Sequence, residues 1–235
     1  MLRFTALASL AVILAVVGVA GADHHEEGEE WTNLLASDSL EAWKGYKQKG
    51  SPKGWAVEDG VLVNKSSNVD LITKEKYGDF ELRFDWKISK GGNSGVIYLC
   101  DESEGASYMT GPEFQLLDNK GWGNDDFDPH STASLYALYP VTDAKAKPAG
   151  EWNTSRIVVR NGKVEHWLNG AQVVSAEIGG GDWKKRVAES KFNAWKRFGT
   201  LNSGQIALQA HAGKDGAIDP TWFRNVKVRR LDQQD

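Results

Sequence analysis

From Trp31 onward, apolar residues come in short runs, many alternating with polar ones, and the runs are separated by Gly, Asn, Asp and Pro. A period of two puts successive side chains on opposite faces of a strand. The pattern predicts strands at Trp55–Glu58, Val61–Val63, Leu71–Thr73, Phe80–Ile88, Gly95–Leu99 and Glu113–Leu117. Further strands are expected at Ser134–Leu138, Trp152–Arg160, Lys163–Leu168, Ala171–Ala176, Gln205–Ala210 and Trp222–Arg229. Asp59–Gly60, Asn161–Gly162 and Asn169–Gly170 are hairpin turn signals, and the last two join three strands into a meander. About twelve strands without alternating helices imply an all-β sandwich or jelly roll. One segment departs from this pattern. Asp182–Phe198 carries Trp183, Val187, Phe192, Trp195 and Phe198 among charges, and reads as a short helical or irregular insertion on the sandwich edge.

The first 22 residues differ again. Arg3 is their sole charge, an apolar run follows from about Phe4 to Val19, and Ala20 and Ala22 form a small-residue cleavage site. This is the pattern of a signal peptide. The expected mature protein has an acidic spacer at 23–30, one domain over 31–230, and a periplasmic or secreted location with no membrane attachment after cleavage. Cys100 is the only cysteine, so no internal disulfide can staple the fold, and stability must come from the core. The net charge of −4 offers no basic footprint for a phosphate backbone, which argues against nucleic acid. Ten tryptophans are more than a core of this size needs, and an indole face suits the C–H face of a pyranose, which points to carbohydrate as the partner.

Alternation then sorts candidate chemistry by face. In Glu113–Leu117, Phe114 and Leu116 point to the core while Glu113 and Gln115 face away. After Ile206 and Leu208, Gln209 and His211 take the outward positions. In Phe80–Ile88 the outward set is Glu81, Arg83, Asp85 and Lys87, most of which reads as a solvated face. Glu113 and His211 together could supply acid–base chemistry, and outward glutamines suit sugar hydroxyls. The GGNSG run at 91–95 permits close backbone approach and brings Asn93 to a strand start. His166 lies beside Trp167, so one of the two must face the core. No motif calls for a cofactor. A divalent metal has one conceivable seat, in the loop of Asp125, Asp126, Asp128 and His130, although the spacing is not that of an EF-hand. No Ser–His–Asp order, HExxH or zinc spacing is present.

The runs NSGVIYL (93–99), GPEFQLLDN (111–119), SLYALYP (134–140), GEWNTSRIVVRNGKVEHWLNG (150–170), SGQIALQAH (203–211) and WFRNVKV (222–228) resemble, in order, the 3-keto-disaccharide hydrolase domain family. The resemblance implies a concanavalin A-like jelly roll of two antiparallel sheets. It also implies action on glycosides whose sugar carries a ketone at C3. Such a ketone acidifies the C2 proton, so a base can start elimination of the C1 substituent, and water can add back. On that scheme His211 or His166 is the base, and Glu113 assists the leaving group or holds a metal or hydroxyl. Asn93, Gln115 and Gln209 bind hydroxyls or the enolate, Arg83 adds positive charge, and Tyr136 and Trp152 line the cleft. Ala212–Thr221 is longer than the family's usual turn, which alters the rim beside His211. Two other functions fit the same fold: a non-catalytic carbohydrate-binding module, and a partner-binding domain using the 182–198 segment.

Overall fold

The computed structural model describes residues 30–36, 39–143, 145–212, 217–218 and 220–231. The proposed signal peptide, the acidic spacer as far as residue 29 and most of the 213–219 loop lie outside them. Thirteen strands are seen among the described residues. They are β1 (Thr32–Asn33), β2 (Trp43–Gly45), β3 (Trp55–Glu58), β4 (Val61–Asn64), β5 (Leu71–Thr73), β6 (Phe80–Ile88), β7 (Asn93–Cys100), β8 (Glu113–Leu117), β9 (Asn153–Arg160), β10 (Lys163–Leu168), β11 (Ala171–Glu177), β12 (Gln205–Leu208) and β13 (Thr221–Arg230). One antiparallel sheet runs β11-β10-β9-β6-β13-β4-β3, with β1 also paired to β13. The other runs β2-β5-β12-β7-β8.

Alternation builds the core between the sheets. Phe80, Leu82, Phe84, Trp86 and Ile88 of β6 are all buried and join Phe114, Leu116, Ile206 and Leu208 of the smaller sheet in one cluster. Phe84 meets Phe114 edge-on, with ring centroids 5.6 Å apart. The hairpin signals act as their chemistry demands. Asp59, Asn161 and Asn169 sit at φ near +50°, and the glycine after each is also at positive φ.

Three elements differ from the sequence expectation. Ser134–Leu138 is not a strand: Ala133 and Ala137 adopt positive φ, which breaks the extended run. It lies along β8 instead, with Gln115 N donating to Ser134 O and Tyr136 N to Glu113 O. β1 and β2 are too short to show alternation, and only pairing with β13 and β5 defines them. The 182–198 insertion forms α2 (Gly181–Ala188), numbered after the four-residue α1 (Asn119–Trp122), and then a 3-10 turn at Lys191–Ala194. It is pinned by a stack in which Phe192 and Phe198 lie 4.0 Å apart and Trp183 lies 5.9 Å from Phe198.

Candidate active site

The outer face of the smaller sheet carries the site. β7 and β8 pair so that Gly95 lies opposite Gln115 and Ile97 opposite Glu113. Gln209 follows β12, held to β7 by its N–H on Gly95 O (2.9 Å) and by Ser94 Oγ donating to Gln209 O (2.8 Å). Asn93, Glu113, Gln115, Gln209 and His211 thereby converge on one pocket of about 780 Å³. That volume is within the ~300–1,000 Å³ typical of ligand sites. Asp70 enters from the start of β5, and Tyr108, Tyr136, Lys191 and Trp195 wall the pocket from outside the sheet.

Glu113 is only 7% exposed. Burial pushes its carboxyl up to about 8, helped by the charge of Asp70 and opposed by that of Lys191. The acid therefore keeps its proton at neutral pH. Gln115, with its amide nitrogen turned inward, donates to Glu113 Oε1 (3.0 Å) and to Ser94 O (3.1 Å). Lys191, an exposed residue at the rim, is lowered by desolvation and held up in part by the Glu113 charge. Its Nζ stands 4.4 Å from the centre of the Tyr136 ring. Asp70 is raised by burial, although Ser107 Oγ and Ala210 N donate to it and His211 favours its charge. His211 Nδ1 contacts the carbonyl of Ala212. A carbonyl can only accept, so Nδ1 carries the hydrogen and Nε2 is left as the basic nitrogen.

Gly95 makes room for this arrangement. A Cβ there would stand 2.1 Å from Glu113 Oε1, and its three nearest atoms all belong to the Glu113 side chain rather than to backbone. Gly95→Ala should therefore fold, with little change in Tm, but expel the carboxyl from its seat. Misplacing a catalytic group by an ångström lowers rate on the order of 100-fold, and a turnover assay beside a melting curve checks both halves. Normal turnover in the variant would show that the seat of Glu113 is irrelevant to catalysis.

Six of the residues picked from sequence lie in the pocket: Asn93, Glu113, Gln115, Tyr136, Gln209 and His211. Three do not. His166 is fully buried between the sheets, accepting from Tyr98 Oη at Nε2 (2.9 Å) and donating from Nδ1 to Ala133 O (3.0 Å). Desolvation lowers its pKa to about 4. It is a neutral core group with no path to a substrate, so its expected role as a base is corrected. His166→Ala should destabilise the fold by about 3 kcal/mol, since it opens a cavity and orphans the Tyr98 hydroxyl. Folded variant should keep its rate; urea unfolding and an assay below the midpoint separate the two effects.

Arg83 and Trp152 belong to the opposite side of the sandwich. Arg83 lies on β6 and Trp152 directly precedes β9, both strands of the larger sheet, whose outward face is turned away from the pocket. Arg83 donates to buried Glu81 (2.7 Å) and stacks on Trp31 (4.8 Å). Trp152 is covered by Arg224 (4.1 Å) and Lys87 (5.2 Å). The acidic loop is also self-satisfied: Asp126 pairs with Lys145 and Asp128 with His130. Among the described residues no three His, Cys, Asp or Glu side chains are placed to hold a metal. Asp70, Tyr108, Lys191 and Trp195 also line the pocket, and no local sequence pattern marks them. Asp70 precedes a three-residue strand, and the others sit in segments without strand alternation.

Solved structures and known sequences place this architecture. Bacillus licheniformis β-glucanase shares the fold, with a TM-score of 0.53 at 11% identity, covering 88% of this chain and 100% of its own. A crystal structure from Parabacteroides distasonis, of a protein proposed to be a glycosyl hydrolase, matches with a TM-score of 0.77 at 34% identity, covering 86% of this chain and 94% of that one. The curated 3-keto-disaccharide hydrolase of Bacteroides thetaiotaomicron is 32% identical over 240 residues, 88% of this chain and 80% of its own. The chain is thus a jelly-roll enzyme of the glycosidase-type hydrolases. Residues 30–229 match the model for the 3-keto-alpha-glucoside-1,2-lyase-like domain, and the chain belongs to that family.

Proposed function

We propose that the protein is exported and cleaves glycosides whose sugar bears a ketone at C3, by removing the C2 proton and expelling the C1 substituent. The observation that carries this reading is Glu113: a buried carboxyl whose pKa burial pushes up to about 8, in a pocket that also holds His211 and the side-chain amides of Asn68, Asn93, Gln115 and Gln209. His211 Nε2 takes the C2 proton, and the electron pair passes into the C3 carbonyl as an enolate. The enolate re-forms the ketone as the C1–O bond breaks, and Glu113 gives its proton to the departing oxygen. Water then adds at C1 of the resulting enone while C2 regains a proton, which completes hydrolysis. Asn93 and Gln209 supply donors for the enolate and the remaining hydroxyls, while Gln115, whose N–H groups are committed to Glu113 and Ser94, offers its amide oxygen as an acceptor for a hydroxyl. Export rests on the N-terminal pattern, with cleavage after Ala22.

The test is release of nitrophenol from a 3-keto-glucoside, run beside the unoxidised glucoside and repeated with EDTA. Release from the ketone alone is expected. Equal release from both sugars would replace elimination with ordinary glycoside hydrolysis, for which Asp70 and Glu113 are the pocket's two carboxyls. Release from neither by the folded protein would favour the carbohydrate-binding reading. Loss with EDTA would add a metal to the site.

A further inference from the structure

The pocket changes character along the strand direction, and Glu113 marks the divide. On β8, Gln115 lies two residues beyond Glu113, and Asn93 pairs at the level of Leu117, two residues further still. At about 3.4 Å per residue the amide-lined end therefore extends roughly 14 Å from Glu113. Gln209 is bonded to Gly95 at the level of Gln115, and so belongs to that end.

The other end is aromatic. It begins over an apolar patch of Ile72, Ile97, Cys100 and Ala207, against which Tyr46 and Tyr108 pack. Tyr108 comes from the β7–β8 connection and Trp195 from the β11–β12 insertion, and their ring centroids are 5.5 Å apart at 53°. Both rings are partly exposed and line the pocket. The two connections are tied together: Gly199 N donates to Thr110 O (2.9 Å), and Arg197 Nη2 to Asp101 Oδ2 (2.7 Å). Behind Tyr108, Ser107 Oγ is bonded to Asp70. Behind Trp195 stands Phe192 at 5.7 Å, itself in the buried stack. The pair is a braced platform rather than two loose side chains.

We propose that Tyr108 and Trp195 form the leaving-group subsite, which takes a flat C–H or π face: the second pyranose of a disaccharide or an aryl aglycone. The keto sugar lies over Gln115, Asn93 and Gln209, where its hydroxyls and the developing enolate find hydrogen-bond partners. The scissile oxygen then falls at Glu113, between the two ends. This orientation rests on Glu113 as the acid for the leaving group. Because ring stacking is not directional in the way a hydrogen bond is, the subsite selects for a flat face rather than for one linkage.

The experiment compares 3-keto-glucosides carrying nitrophenyl, glucosyl and methyl leaving groups with wild type, Tyr108→Ala, Trp195→Ala and Trp195→Phe. Each alanine variant should lose about tenfold in kcat/KM on the first two substrates, mostly through KM, and less than about twofold on the methyl glycoside. Trp195→Phe, which keeps a flat ring against Phe192, should retain most of the wild-type preference. Tyr108→Ala leaves the Trp183, Phe192 and Phe198 stack that anchors the 182–198 insertion intact, so it guards against a misfolded Trp195→Ala. Loss on only one of the two large groups supports the subsite and assigns it to aryl or to sugar leaving groups. Equal loss on all three substrates, or loss on none, overturns the proposal. If wild type turns over no ketone, the reaction reading fails by itself, and binding of the unoxidised glycosides decides the subsite. Tighter binding of nitrophenyl than methyl glucoside, abolished in both alanine variants, would uphold it; no preference in wild type would overturn it.

Discussion

Replacing His211 with alanine should lower kcat on a 3-keto-glucoside at least ~100-fold while leaving the melting temperature nearly unchanged. The side chain is partly exposed and lines the pocket, so its removal leaves no sealed cavity. Its Nδ1 is committed to the Ala212 carbonyl, which fixes the tautomer with the lone pair on Nε2. Alanine removes the only imidazole that the described residues bring to the pocket. Steady-state assays with soluble variant, alongside circular dichroism, give the answer. A folded His211→Ala enzyme at the wild-type rate would take this residue out of the mechanism and leave Asp70 as the next candidate base. The contrast with His166→Ala is diagnostic, because the two histidines should fail in opposite ways: one in rate, the other in stability.

Glu113→Gln should reduce kcat by roughly 10²–10⁴-fold on a glycoside with an alkyl or sugar leaving group. The loss should be smaller for nitrophenol, which departs without help from an acid. In the wild type, activity should fall as pH rises through about 8, where the carboxyl loses its proton. The glutamine variant should lack that alkaline limb. Stability gives an independent readout with a definite sign. A carboxyl whose folded pKa lies above its unfolded value binds protons on folding. Its contribution is therefore fully present in acid and is lost as pH climbs from the ordinary glutamate range toward 8. Glu113→Gln should gain Tm relative to wild type at pH 9 compared with pH 5. A wild-type profile flat to pH 10, with no such gain, would mean that Glu113 is not the buried acid described here.

Much of this site was legible in the alternation of single strands. Glu113 and Gln115 fall outward because Phe114 and Leu116 must fall inward, and β8 has the limits that its pattern predicts. Gln209 emerges for the same reason after Ile206 and Leu208, whereas His211 lies beyond the end of β12, where Ala210 lines the pocket as well. The three hairpins follow from Asp-Gly and Asn-Gly pairs, whose residues tolerate positive φ. These are local facts, set by covalent geometry and by the need to bury every second side chain.

What alternation cannot say is which sheet a strand joins. Arg83 is as outward on β6 as Glu113 is on β8, yet the two stand on opposite faces of the sandwich, because β6 pairs with β9 and β13 while β8 pairs with β7. His166 shows the converse limit. Polar by type, it is buried between the sheets because Tyr98 and Ala133, distant in sequence, satisfy both ring nitrogens there. Lys191, Tyr108 and Trp195 reach the pocket from connections whose paths no local period records. The raised pKa of Glu113 likewise belongs to the assembled molecule, since desolvation exists only once the loops have closed over the sheet. The sequence alone determined strands, turns and inward or outward facing, because those are decided within a few residues. Sheet membership, the walls of the pocket and the protonation of its acid were decided by tertiary structure, because each depends on groups brought together across long stretches of chain.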